Sequence, residues 1–236
     1  MVIKDMPGRL EYQNPNPLRA QPRTVIFVAY PQMGLLDLTG AHTVFWAATR
    51  NLNQLGLPGY TLHTASVAGG TVRTGEGLVV QTRRLTDLVN EPRDTLIVPG
   101  SPHIRQAIVD NASLIDWLRL ASTTANRTTS ICSGAFFLGC AGLLDGLRVA
   151  THWTMADQFE RAFPQVKLDR EAIYVQQKSI WTAAGVSAGI DLALALVEAD
   201  HGRKLAMQVA RHLVVYYRRP DNQEQWSPLL QSQYLS

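Results

Sequence analysis

The chain has 236 residues, 46% of them apolar and 17% charged, with a formal net charge of +3. That length suits one large α/β domain or two small ones, and the mild basicity permits nucleic acid nearby without arguing for it. Two cysteines without zinc-type spacing argue against a disulfide scaffold and a structural metal site, and point to a reducing compartment, the cytoplasm.

Residues 1–23 are polar and proline-rich and lack an apolar h-region, so they read as a flexible N-terminal arm rather than a secretion signal. "TVIFVAY" (24–30) is a compact β-branched run of the kind found in central parallel strands. "PQMGLLDLTG" reads as a loop and "AHTVFWAATRN" as a helix. "YTLHTAS" (60–66) is a second strand, and the glycines of "TVRTGEGLVVQTR" suggest a hairpin-like excursion. "DTLIVPGS" (94–101) is a buried strand ending in Pro-Gly. "ASLIDWLRLAST" is an amphipathic helix with Leu114, Trp117 and Leu118 on one face.

The strand "RTTSI" and a helix after Cys132 follow, then the strand "LRVAT" (147–151), the helix "MADQFERAFP" and a last strand "IWTAAG" (180–185). "SAGIDLALALVEADHG" and "RKLAMQVARHLVVYY" close the domain as two helices, with Gly202 as a C-cap between them. The most apolar of these stretches is too short to span a bilayer and carries Asp191, so no membrane partner is expected. Strands alternating with helices argue for a mostly parallel sheet covered on both faces. Residues 24–219 contain no linker, and 220–236 shift to Gln, Ser, Pro and Asn as a linker-like tail would.

Residues 130–134 read Ser-Ile-Cys-Ser-Gly, the cysteine counterpart of the G-x-S-x-G nucleophile elbow. A sharp strand-to-helix turn needs small residues two positions either side of the nucleophile. It places Cys132 at a helix N-terminus, where unpaired N–H groups and the macrodipole favour a thiolate. The plainer reading makes Cys132 a small buried hydrophobe. Cys140, further along the same helix, reads as core.

A catalytic thiol needs a base and an oxyanion hole. Gly100 and Ser101 follow a strand at the same carboxyl edge, where their N–H groups either face an oxyanion or form an ordinary turn. Asp37 follows the first strand and either exchanges a proton with the thiol or caps the next helix. His152 follows "LRVAT" and either serves as a base or bonds to backbone at a helix start. No H-x-E follows it, so a Cys-His-Glu triad cannot be assembled locally. His201, at a helix end, suits the dipole as a cation.

In order, "LLDLTG", "IVPGS", "SICSGAFFLGCAGLLDGLRVATHW", "TAAGVSAGIDLALALVEADHG" and "ARHLVVYYRRPDNQEQWSPLL" resemble the class I glutamine amidotransferase-like, PfpI-type domain at the N-terminus of AraC-family transcription regulators. The resemblance covers about residues 24–230. It implies a flavodoxin-like three-layer α/β sandwich, with a mostly parallel sheet and a nucleophile elbow. It also implies a sensing, dimerising role: a small-molecule effector near Asp37, Gly100, Ser101, Cys132, Ser133 and His152, a homodimer, no cofactor and no metal. DNA would be bound by a C-terminal helix-turn-helix module not present in these residues. The isocyanide hydratases share the DLTG aspartate, the elbow cysteine and the THW segment, which match Asp37, Cys132 and His152. In those enzymes the cysteine attacks the isocyanide and the aspartate handles protons. They usually carry Thr where this chain has Ser133, and their C-terminal ends do not resemble "ARHLVVYYRRP". The alternative is therefore a cysteine-dependent hydratase or hydrolase, and a third possibility is a redox or electrophile sensor.

Residues 201–219 contain Arg203, Lys204, Arg211, Arg218 and Arg219 and no acidic residue. Lys204, Arg211 and Arg218 recur every seven residues on one helical face, which is either a solvated surface or a contact for phosphates or an acidic partner. Leu205, Met207, Val209 and Leu213 form the opposite face, as core or dimer interface.

Overall fold

The computed structural model describes residues 21–216 together with Arg219 and Gln225. Most of the expected N-terminal arm, most of the tail, and Arg218 lie outside the described residues.

An eight-stranded sheet forms the centre, in the order β3-β4-β2-β1-β5-β6-β10-β9. Its strands are β1 (Arg23–Val28), β2 (Tyr60–Ser66), β3 (Gly70–Arg73), β4 (Val79–Arg84), β5 (Thr95–Val98), β6 (Arg127–Ile131), β9 (Tyr174–Gln177) and β10 (Ile180–Ala183). The six inner strands run parallel, while β3 and β9 are antiparallel edges. One face is covered by α1 (Leu35–Gln54), α6 (Ala188–His201) and α7 (Arg203–His212), which pack on one another. The other carries α2 (Ile104–Asp110), α3 (Ala112–Ala121) and α4 (Ala135–Cys140). The mostly parallel sheet covered on both faces, expected from the alternating pattern, and the flavodoxin-like three-layer sandwich that the resemblance implies are the fold observed. Strands β1 and β5 are buried along nearly their whole length because helices cover both faces.

The sheet is fixed at its amino edge by charge. Asp200, at the end of α6, takes both guanidinium nitrogens of Arg127 and the Tyr60 hydroxyl (2.9 Å), while Arg127 Nε donates to Thr95 Oγ1. Arg23 adds a looser contact at 3.6 Å. Four strand starts are thus tied to one helix terminus. His201 is buried beside this cluster, edge-on to the Tyr60 ring, and burial pushes it down to about 4. It is neutral at pH 7 and does not act as the cation expected at a helix end.

Several local expectations need correction. "LLDLTG" is not a loop: α1 starts at Leu35, and Asp37 lies in its first turn. "LRVAT" does not join the main sheet. Only β7 (Arg148–Val149) is extended, paired with β8 (Lys167–Leu168) in a separate ribbon. The sequence pattern concealed α2 because only Ile104 and Ala107 of its seven residues are buried, too few to set a helical period. It concealed β9 because Gln176 and Gln177 make that edge strand half polar. The last helix stops at His212. Val214 has φ 56°, and the bonds Val214 N→Arg211 O and Val215 N→Ala210 O close the end as a Schellman motif. Gly202, with φ 86°, separates α6 from α7 as expected.

On α7, Leu205 and Val209 are buried, Met207 and Leu213 half-buried, and Arg211 is exposed. The apolar face therefore packs on the domain.

Candidate functional site

Strand β1 connects toward β2 on one side, whereas β5 lies on its other side, so the topological switch point falls between β1 and β5. Open α/β sheets bind ligands in the crevice at such a point. Four chain segments leave the carboxyl edge there: Tyr30–Asp37 after β1, Pro99–Pro102 after β5, Cys132–Gly134 after β6, and Gly185–Ser187 after β10. They enclose a cavity of about 510 Å³, lined by Asp37, Glu76, Gly100, Ser101, Cys132 and His152 among others.

Cys132 is an elbow residue. Its φ is 57°, in the left-handed region that non-glycine residues rarely enter. A single turn of 3-10 helix (Cys132–Gly134) links β6 to α4. The spacing of small residues has a steric cause: a Cβ on Gly134 would lie 2.3 Å from the Val98 carbonyl oxygen. Glycines from two other strands also close on the thiol. A Cβ at Gly100 would meet Cys132 Cβ at 2.8 Å, and one at Gly185 would meet the sulfur at 2.9 Å. Thr151 Oγ1 donates to the Cys132 carbonyl at 3.0 Å and steadies the turn from the far side.

The backbone donators expected to form an oxyanion hole are already engaged. Gly100 N donates to Asp37 Oδ2 at 2.9 Å, and Ser101 N donates to Ser133 Oγ at 2.9 Å. Ser133 Oγ donates in turn to the Ser101 carbonyl. The other Asp37 oxygen accepts from Val186 N at 2.9 Å. Asp37 therefore does not cap α1. Its carboxyl is held by two strand-end loops and turned toward the thiol.

That arrangement decides the electrostatics. Burial and the Asp37 carboxylate push the Cys132 thiol up to about 12, outweighing the Ser133 N–H at the start of the helix. The helix N-terminus therefore does not yield a thiolate here: burial beside the Asp37 carboxylate keeps the Cys132 thiol protonated at pH 7. Burial also raises the Asp37 carboxyl above its usual range, against the lowering effect of Gly100 N, Val186 N and the thiol.

His152 reaches the cavity wall although "LRVAT" is not a sheet strand. Its Nδ1 lies 2.8 Å from Thr154 Oγ1 and accepts from Thr154 N at 3.3 Å, capping the 3-10 turn Trp153–Met155. Burial lowers its basicity. The helix-start reading describes its contacts better than the general-base reading.

Three contributors escaped the sequence. Tyr30 is fully buried below the site and donates to the Pro99 carbonyl at 2.7 Å. Glu76, at the tip of the β3–β4 hairpin, caps α1 by accepting from Leu35 N at 3.0 Å. Val186 has φ 49° and holds Asp37. The available signal was "AAGVSAG", a glycine at a strand end followed by a helix start, which mirrors "SICSG" one strand away. Cys140 is half-buried at the end of α4 rather than fully core. Among the described residues, no group of three or more His, Cys, Asp or Glu side chains is placed to hold a metal, and no helix is long and apolar enough to cross a membrane.

Residues 23–199 match the DJ-1/PfpI family. The chain is 31% identical over 166 residues to the HTH-type transcriptional regulator CdhR of Pseudomonas aeruginosa, covering 70% of this chain and 48% of that protein. It is 32% identical over 173 residues to the isonitrile hydratase of Pseudomonas putida, covering 73% of this chain and 69% of the enzyme. Among solved structures, a ThiJ/PfpI family protein from Pseudomonas syringae superposes with a TM-score of 0.72 at 22% identity, over 97% of this chain and 92% of that one. The chain spans about half the length of the curated regulators it matches.

Proposed function

The chain belongs to the DJ-1/PfpI family, and from that premise we propose that it is the ligand-sensing and dimerising domain of an AraC-type transcription regulator, with a small metabolite bound in the Cys132 cavity. In this reading residues 24–219 form the sensing unit, the protein works in the cytoplasm as a homodimer, and DNA is contacted by a module outside these residues. Similarity to HTH-type regulators supports the regulatory part.

The observation that carries the ligand-site part is the state of the elbow. The thiol is neutral, and the N–H groups of Gly100 and Ser101 are spent on Asp37 and Ser133. Nucleophilic attack on a carbonyl needs a thiolate and free oxyanion donors. This site offers a shaped cavity, a thiol held protonated, and no free donor at Gly100 or Ser101. A ligand that binds one arrangement of the pocket better than another shifts the population toward it, which is all that a sensor requires.

The test is a thermal-shift screen of small metabolites against the protein, followed by calorimetry. Binding that raises Tm, and that is lost when Leu36→Trp narrows the mouth of the cavity, bears the reading out. If isocyanides are turned over instead and no metabolite shifts Tm, the sensing reading fails.

A second reading has one specific observation in its favour: Cys132 and Asp37 line the same cavity, with the Asp37 carboxylate acting on the thiol, the pair needed for proton handling in an isocyanide hydratase. In that chemistry sulfur adds to the isocyanide carbon as the thiol proton passes through Asp37 to the same carbon, giving a thioimidate. Water then adds, the C–S bond breaks, the thiol is reprotonated and an N-substituted formamide leaves. Turnover by the wild type that disappears in Cys132→Ala would establish this reading.

A further inference from the structure

Two side chains beyond α7 attach to residues that adjoin the lining of the Cys132 cavity. Arg219 donates through Nε and Nη2 to Asp191 Oδ2 (2.9 and 2.7 Å), through its backbone N to Asp191 Oδ1 (3.0 Å), and through Nη2 to Ser187 Oγ (3.0 Å). Asp191 is buried in the first turn of α6, and Ser187 adjoins Val186, whose N–H holds Asp37. Gln225 makes the second attachment. Its Nε2 donates to the carbonyls of Thr151 (3.0 Å), Arg170 (3.0 Å) and Ala172 (3.3 Å), and its Oε1 accepts from Trp153 N (3.1 Å). Thr151 is the residue that bonds to the Cys132 carbonyl, and His152, Thr154 and Met155 line the cavity.

We propose that Arg219 and Gln225 are the output contacts of the pocket: what happens at the Cys132–Asp37 pair is transmitted to the C-terminal segment through Val186–Ser187 and through Thr151. The physical case rests on chain connectivity. One path runs from Asp37 Oδ1 to Val186 N, across one peptide to Ser187, and on to Arg219. The other runs from the Cys132 carbonyl to Thr151 Oγ1, and from the Thr151 carbonyl to Gln225 Nε2. Each is short and made of hydrogen bonds that a shift of a few tenths of an ångström would weaken. An arginine whose guanidinium and backbone N–H together hold both oxygens of a buried carboxylate, and a glutamine with all its described bonds to backbone, are selective for one arrangement of their partners. A ligand pressing on Asp37 or displacing the 152–155 turn changes both attachments. This deepens the sensing reading, since it names where the signal leaves the domain.

The coupling can be tested without knowing the effector. Carbamidomethylation of the two cysteines by iodoacetamide is followed by mass spectrometry, and Cys140, on α4, serves as the internal reference. In Gln225→Ala and in Arg219→Ala the ratio of the Cys132 rate to the Cys140 rate rises about fivefold, the lower range of ordinary site–site coupling. In the Cys140→Ser protein, full carbamidomethylation of Cys132 crowds the Val186 and Thr151 sides of the pocket and speeds hydrogen exchange at the Arg219 amide severalfold. An unchanged ratio, a parallel rise at both cysteines, or unaltered Arg219 exchange overturns the proposal. Those outcomes leave the sensing reading to its own metabolite screen, so the two fail separately.

Discussion

Ser133 and Ser101 exchange two hydrogen bonds through one hydroxyl: Ser133 Oγ accepts from Ser101 N and donates to Ser101 O, each at 2.9 Å. The clasp joins the loop after β5 to the elbow after β6 in a fully buried position. Ser133→Ala strands a buried N–H and a buried carbonyl, which costs about 1–3 kcal/mol. Ser133→Thr keeps the hydroxyl and adds one methyl, so its cost stays below about 1.5 kcal/mol unless the methyl finds no room. Urea unfolding of the two variants separates the hydrogen-bond contribution from the steric one.

The Cys132–Asp37 pair sets the pH response of the site. With the thiol held at about 12, its thiolate fraction at pH 8 is small and alkylation is slow. Asp37→Asn removes the negative charge that helps raise the thiol, so the thiolate becomes more accessible. Alkylation at pH 8 then proceeds about tenfold faster, and its pH profile moves to lower pH. The same change turns an amide N–H₂ toward one of the two backbone N–H donors, so stability falls by about 1–3 kcal/mol. A rate equal to that of the wild type would show that burial alone holds the thiol neutral.

The elbow was legible in the sequence because its signature is local, small Ser130 and Gly134 two positions either side of Cys132, which turns at φ 57°. The strands β1, β5 and β6 were legible because burial on both faces leaves compact β-branched runs. What the donors of Gly100 and Ser101 do was not legible. Gly100 N is claimed by a carboxylate 63 positions earlier and Ser101 N by a hydroxyl 32 positions later, pairings that exist only once the sheet is assembled. The thiol's protonation state was misread for the same reason. The helix-terminus effect can be read from local sequence, but burial and the approach of Asp37 cannot. Glu76 at the hairpin tip and the Gly185–Val186 turn were hidden because each reaches the pocket only through the assembled fold, Glu76 by capping a helix 41 positions earlier and Val186 by holding a carboxylate 149 positions earlier.

His201 gives the fold an acid limit. Its folded value is about 4 against about 6.5 for an ordinary histidine, so the unfolded chain binds a proton that the native state refuses between those values. Stability is therefore intact above pH 6.5 and falls as pH drops toward 4. A shift of that size is worth about 3 kcal/mol at most. His201→Phe keeps the contact with Tyr60 and abolishes this loss. Denaturant titrations at pH 7 and pH 4.5 should differ by less in the variant than in the wild type.

Asp200 anchors the amino edge of the sheet against two arginines and a tyrosine. Asp200→Ala leaves Arg127 buried without its partner, and the expected cost is about 3–5 kcal/mol. The cavity lies at the opposite, carboxyl edge. A ligand found by thermal shift should therefore still bind a folded Asp200 variant at low temperature, with unchanged affinity by calorimetry.

Val214 closes α7 in a conformation that suits glycine. Its φ of 56° is unfavourable for a β-branched side chain, and that side chain is 87% exposed, so packing gains little from it. Val214→Gly removes the strain while keeping the two bonds of the Schellman motif, Val214 N→Arg211 O and Val215 N→Ala210 O. Glycine loses more backbone freedom on folding, which offsets part of the gain. The net expectation is a stabilisation of about 0.5–1 kcal/mol, read as a higher urea midpoint at unchanged slope. A lower midpoint would mean that the valine side chain contributes packing in solution that outweighs its backbone strain. The site variants and this one lie on opposite sides of the function question. Val214→Gly should leave the Cys132 alkylation rate untouched, whereas Asp37→Asn should change it.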